Sequence, residues 1–247
     1  ADRSEPFQGA SGVYHPLLSE AVAQFQSSAY KELLPSGGPV NTRVVGMTTP
    51  DRQAQADRVK DFMNYQITEV MQEYDPELDQ MLFYLPLSGS SFKKIYYDEG
   101  LNRAVSKFIT SEDLVVPYET TDLQSATRIT HVIRTPTNEV RKLQKSGFYR
   151  DIELESSPEP ETSVTEKVDK MEGLRPTNYG ASDMMTILEC HIDLDLAGYE
   201  DSGEDGEPTG IQLPYIVTLE EGCQQVLSIR RNWGEDDPLM TKQQYFV

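Results

Sequence analysis

Three kinds of side chain in this sequence could carry chemistry, and their spacing decides against most of it. His131 and His191 lie in separate segments, each without a Cys or carboxylate at zinc-ligand spacing, and His15 stands alone near the start. All three read as structural histidines. The run Asp201-Ser202-Gly203-Glu204-Asp205-Gly206 invites calcium. A calcium-binding loop of that kind needs an oxygen ligand at its third position and a Glu at its twelfth. Those positions hold Gly203 and Gln212, so a solvated hairpin loop is expected instead. Cys190 and Cys223 fall in apolar strand-like contexts and read as small core residues rather than nucleophiles. No phosphate-cradling glycine loop and no strand-to-helix serine elbow occurs; Ser88-Gly89-Ser90-Ser91 is a helix-to-strand turn. What remains is basic. Lys93-Lys94, Arg141-Lys142 with Lys145, and Arg230-Arg231 cluster locally, and Trp233 sits beside the last pair. Trp and Arg together are the commonest anchors of binding interfaces. Arg141, Lys142, Lys145, Arg230, Arg231 and Trp233 are therefore the candidate interface or DNA-proximal residues. No catalytic, metal-binding or cofactor-binding set is expected, and the chain reads as non-enzymatic.

The elements that must position these residues belong to a chain of 247 residues with a formal net charge of −19 and 37% apolar residues. That is enough apolar material for one or two modest cores. Eighteen apolar residues never run together, so no membrane-spanning helix is expected. No basic-then-apolar leader opens the sequence, and two cysteines suit a reducing compartment. The acidic excess argues against a protein that grips DNA or anionic lipid over its whole surface. The charge is uneven: residues 151–247 hold 22 of the 41 acidic side chains and only 6 of the 22 basic ones. A glycosidase-like acid pair would need an aromatic-lined cleft, whereas most of these acids lie in Gly/Ser/Pro loops. The absence of an initiator Met and the apolar ending Tyr245-Phe246-Val247 suggest a fragment, with apolar surface left unpaired over residues 239–247.

Apolar periodicity places a helix on Leu17, Leu18, Ala21, Val22, Phe25, Ala29 and Leu33, ended by Pro35-Ser36-Gly37-Gly38-Pro39. Thr49-Pro50 is a cap-plus-proline start for a second helix with a long stripe from Val59 through Phe62, Met63, Ile67, Val70 and Met71 to Tyr74. Asp75-Pro76 repeats the signal, with Leu78, Met81, Leu82 and Leu85 following and Pro86 as the stop. Residues 91–97 and 103–109 form a hairpin about Asp98-Glu99-Gly100. Strands are expected at 114–118 and 128–134, then a helix with Val140 and Leu143 inward, Arg141, Lys142 and Lys145 outward, and Gly147 closing it. Residues 151–180, rich in Glu, Ser, Pro and Thr, suggest a flexible connection with a short helix near 164–171. Alternation over 188–196 predicts a strand burying Leu188, Cys190, Ile192, Leu194 and Leu196, with Glu189, His191, Asp193 and Asp195 wet. A second hairpin turns at Glu220-Glu221-Gly222. The expected class is α+β: N-terminal helices packed on antiparallel sheet, followed by a β-rich second portion. The expected organisation is a helical-plus-β region over 1–150, the connection over 151–180, and a β-rich region over 181–247.

Whole segments resemble a known family. Val59-Lys60-Asp61-Phe62-Met63-Asn64-Tyr65-Gln66, leading into Tyr74-Asp75-Pro76-Glu77-Leu78, is similar to the opening of portal proteins of tailed bacteriophages. So are Ser91-Phe92-Lys93-Lys94-Ile95-Tyr96-Tyr97 and Glu112-Asp113-Leu114-Val115-Val116-Pro117-Tyr118, and Thr130-His131-Val132-Ile133-Arg134 fits the continuation. The resemblance covers residues 20–150 and, more loosely, 180–247. It implies one subunit of a homo-oligomeric ring, a dodecamer in the family, at the portal vertex of a virion, assembled in the host cytoplasm. Residues 1–150 would then be wing, and 181–247 wing or clip. The implied partners are copies of itself, the terminase motor, tail or adaptor proteins, capsid and scaffold, and duplex DNA held weakly and without sequence preference. No membrane and no cofactor is implied. The competing expectation is a head-completion or tail adaptor protein of a virion.

Overall fold

Leu17–Leu33 forms α1, but of its apolar stripe only Val22 is buried; Leu17, Leu18, Phe25 and Leu33 are exposed. Among the described residues the expected inward face is thus mostly uncovered. Pro50–Tyr65 forms α2, started as its sequence predicts: Thr49 Oγ1 accepts the Arg52 amide at 3.4 Å with Pro50 in the first turn. α2 buries no residue, and Val59, Phe62 and Met63 face outward. The long stripe expected to reach Tyr74 is interrupted by a widened, π-helical turn over Gln66–Val70, after which α3 starts afresh at Tyr74–Ser88. Pro86 does not stop α3. It costs one hydrogen bond in the last turn, and Gly89 in the left-handed region (φ +79°) ends the helix. The computed structural model describes residues 15–154, 184–202, 205 and 207–247 of this mixed α+β protein, helices first and antiparallel sheets after.

The described chain divides into two compact units, one ending at Ser111 with Phe246 and Val247 added, the other running from Glu112 to Tyr245. In the first, α1 packs on α3, pinned by Gln26 Nε2 donating to Asp79 Oδ1 at 2.7 Å and by the Tyr30 hydroxyl donating to Asp75. Leu78 and Leu82 are the buried stripe of α3. Asn64 on α2 fastens the linker after α1: its Oδ1 accepts the Val40 amide at 2.9 Å and its Nδ2 donates to Val40 O at 3.1 Å. α3 lies on the hairpin of β1 (Ser91–Asp98) and β2 (Arg103–Thr110), paired from Ser91↔Thr110 to Asp98↔Arg103. The turn is longer than expected, running to Asn102 at φ 51°, with Asp98 Oδ1 accepting the Leu101 amide at 3.0 Å. The chain's last residues are not loose. Phe246 is buried, and Val247 exchanges two backbone bonds with Lys93. Leu239 is exposed, as expected.

The second unit is a five-stranded antiparallel sheet in the order β3 (Leu114–Val115), β4 (Arg128–Pro136), β5 (Met184–Leu194), β6 (Leu213–Glu220), β7 (Val226–Arg231). The strand expected over 114–118 shortens to two residues. The step in charge near residue 150 is no boundary between compact units, because β4 on one side pairs with β5 on the other from Arg128↔Ile192 to Pro136↔Met184. The connection expected at 151–180, with its short helix, falls largely outside the described residues. Helix α4 (Thr137–Lys145) has Arg141, Lys142 and Lys145 exposed as expected, with Val140 inward in a cluster with Met185, Ile187 and Leu227. Gln144 is buried too: its side-chain Nε2 donates to Arg150 O at 3.1 Å and Ile152 O at 2.8 Å, fixing the segment after the helix. The faces of β5 are reversed from the expectation. Met185, Ile187, Glu189 and His191 are buried, while Leu188, Cys190 and Ile192 are half-buried. A central strand covered on both sides has no wet face for polar residues to mark.

Candidate functional site

Two side-chain groups in the second unit could act chemically. The first is the reversed face of β5. His191 Nε2 lies 2.8 Å from Glu189 Oε1, and the two residues are 2% and 9% exposed. In register, His131 and Thr218 flank Glu189, and Ile129 and Ile216 flank His191. The Tyr245 ring sits 5.4 Å from the imidazole. Burial pushes the phenols of Tyr149 and Tyr245 up; Glu189 adds to the rise in both and Arg230 opposes it. A histidine–carboxylate pair is the usual partner of a nucleophile. Here the imidazole is buried and its neighbours close it off from substrate, so the pair belongs to the interior of the sheet.

The second group lies on the outer edge of the sheet and includes half of the residues singled out from sequence. A cleft of about 660 Å³ runs along β7, lined also by Gly147 to Arg150, Tyr199 and Tyr215. Alternation sends Arg230 and Arg231 to opposite faces of β7. The Arg230 guanidinium lies 4.4 Å from the Phe148 ring centre, and that of Arg231 lies 5.6 Å from Trp233. Trp233 in turn meets Tyr215 edge-on at 5.4 Å, and the Tyr215 hydroxyl donates to Tyr199 O at 3.3 Å. Stacked guanidiniums of this kind keep their in-plane donors free for a carboxylate or phosphate. Among the described residues no carboxylate pairs with Arg150, Arg230 or Arg231, although the chain is strongly acidic.

Neither a protein-family model nor a curated protein matches this chain. The other three sequence candidates do not join the cleft. Lys142 Nζ lies 2.6 Å from Glu139 and Lys145 Nζ 2.6 Å from Asp151, both exposed pairs of the sort that contribute about 0–1 kcal/mol. Arg141 is exposed on the same helix. Sequence reasoning missed Phe148, Arg150, Tyr199 and Tyr215. The aromatic–basic run Phe148-Tyr149-Arg150 directly after the helix-ending Gly147 was a signal that could have found the first two.

The remaining candidates resolve as ordinary structure. No group of three or more His, Cys, Asp or Glu among the described residues could hold a metal ion. In the acidic loop, Thr209 Oγ1 donates to Asp201 Oδ2 at 2.6 Å and Ser202 bridges to Pro208, a closed hairpin loop; Gly203, Glu204 and Gly206 lie outside the described residues. Cys190 and Cys223 are free and half-buried. Burial and the neighbouring Glu220 push the Cys223 thiol up, away from nucleophilic use. No helix among the described residues is long and apolar enough to cross a membrane.

Proposed function

We propose that this chain is a structural subunit of a tailed-bacteriophage portal ring, through which DNA is packaged and ejected and on which terminase and tail or adaptor proteins dock. The observation that carries the reading is the apolar surface of the helical unit. Leu17 and Leu18 on α1 are 64% and 65% exposed, and Val59 and Phe62 on α2 are 53% and 60% exposed. Large apolar side chains left exposed on two helices suit an interaction face, and burying them is favourable by about 25 cal/mol per Å². Copies of one chain arranged in a closed ring give every such face a partner. The segment resemblance supplies the identity of the ring.

On this reading the protein works at the portal vertex of the virion. A DNA conduit must not hold phosphates tightly, since each neutralised phosphate adds a salt-sensitive grip. A subunit carrying −19 repels the duplex over most of its surface and confines contact to small basic patches. Imaging of the purified protein by negative stain tests the proposal: rings with a central hole support it, and uniformly monomeric particles at high concentration contradict it.

A further inference from the structure

We propose that the outer edge of β7 binds an acidic, extended peptide segment by strand addition. The inference goes beyond the ring reading and does not depend on it. Asn232 N–H donates to Pro214 O at 3.0 Å, one step past the Arg231↔Tyr215 pair. That makes Arg231↔Tyr215 a pair without mutual hydrogen bonds, and alternation makes Arg230↔Ile216 the bonded one. The backbone N–H and C=O groups of Ile229 and Arg231 therefore point away from β6. The same edge already takes an outside partner at its start, where the Arg150 amide donates to Leu227 O at 2.8 Å. Beyond that bond the edge is open among the described residues.

The side chains around this open half set the chemistry of the occupant. Arg230 on one face and Arg231 on the other straddle the edge, each held against an aromatic ring, and Arg150 stands at the cleft wall. A strand laid along Ile229–Arg231 would present successive side chains to opposite faces, so two adjacent carboxylates would meet the two guanidiniums at once. Main-chain bonds would give affinity and the arginines would give the choice of sequence. Positive charge on an edge also discourages pairing between copies of the chain, which keeps the site for an acidic strand.

The probe is a capped octapeptide of valine and threonine with two adjacent glutamates at its centre, titrated into the whole protein by calorimetry at low and physiological salt. Saturable binding is expected, weakened about tenfold or more when the glutamates become lysines, when the peptide amides are N-methylated, or in the Arg230→Ala/Arg231→Ala variant. Ile229→Pro removes one outward N–H while leaving the β6 pairing intact, and it should weaken binding without changing the circular dichroism. If that variant misfolds, the N-methylated peptide carries the same test. No binding of the acidic peptide, equal binding of the lysine or N-methylated peptide, or tighter binding of oligothymidylate than of the peptide overturns the proposal.

Discussion

Lys93 and Phe108 are partners in register across the β1–β2 hairpin, and each turns its backbone away from the other to a different neighbour. Lys93 exchanges two bonds with Val247, at 2.8 and 2.9 Å, while the Phe108 amide donates to Glu77 Oε2 at 2.7 Å. One helical turn earlier both Glu73 carboxylate oxygens accept from Arg103 Nη1 at 2.7 Å, and Oε1 accepts the Ser106 amide at 3.4 Å. Two carboxylates, one just before α3 and one in its first turn, thus stand in for a neighbouring strand along β2, and the C-terminal residues cover β1. A two-stranded hairpin is marginal alone, so both edges matter to its stability.

Glu77→Ala should therefore cost about 1–3 kcal/mol, because it leaves the Phe108 amide without its acceptor. Glu77→Gln, which keeps an oxygen at that place, should cost less. Chemical denaturation of the two variants measures the difference; equal losses would show that the carboxylate contributes charge or packing rather than the amide bond.

Glu73 makes that clasp dependent on pH. Partial burial pushes its carboxyl up, but the bonds from Arg103 and the backbone amides outweigh burial and hold it below the usual 4.5. The folded state therefore binds the proton less tightly than the unfolded chain. The stabilisation is complete above about pH 4.5 and is lost as pH falls through the lowered folded value. Thermal midpoints of wild type and Glu73→Gln should differ at about pH 7 and draw together as pH falls below the usual 4.5. A gap that is constant with pH would rule out this linkage.

Gly38 sits at φ +88°, and a Cβ there would lie 2.4 Å from the Asn64 side chain that clamps Val40. Gly38→Ala should destabilise by about 1–2 kcal/mol or more, through both the left-handed backbone and the displaced Asn64. Asn64→Ala alone should cost about 1 kcal/mol or more. If the double variant costs the plain sum of the two, the residues do not act on each other as their contact requires.

The buried pair of β5 gives a comparable test. Glu189→Ala takes away the oxygen 2.8 Å from His191 Nε2 inside the sheet and should cost about 1–3 kcal/mol or more. Glu189→Gln, which keeps an oxygen at that place, should cost less. Both read out as shifts in the denaturation midpoint, and equal losses would contradict the account.

What the sequence made legible follows from which physical signals are local. The hairpin of β1 and β2, the Thr49-Pro50 helix start and the outward Arg141, Lys142 and Lys145 all rest on residues a few positions apart, and all stand in the fold. The faces of β5 were not legible, because Glu189 and His191 bond to each other across one alternation step and the strand is covered on both sides. Pro86 misled for a similar reason: near the end of a helix its missing N–H removes a single bond. The apolar stripes of α1 and α2 were legible as stripes, but nothing local says whether this chain or another covers them. In the cleft, Arg230, Arg231 and Trp233 stood out by type. The ring that holds Arg230, Phe148, lies far away in sequence, and only the addition of the segment after α4 to the edge of β7 brings it there.

The central claim is that the exposed faces of α1 and α2 are contacts between copies in a ring. The most direct measurement is the mass distribution of the protein by sedimentation over a wide concentration range, for wild type and for a Leu18→Glu/Phe62→Glu variant. The account predicts a closed oligomer for wild type, seen as a ring in negative stain, and a monomer with unchanged circular dichroism for the variant. A wild-type protein that stays monomeric throughout, or an oligomer indifferent to both charges, would contradict it.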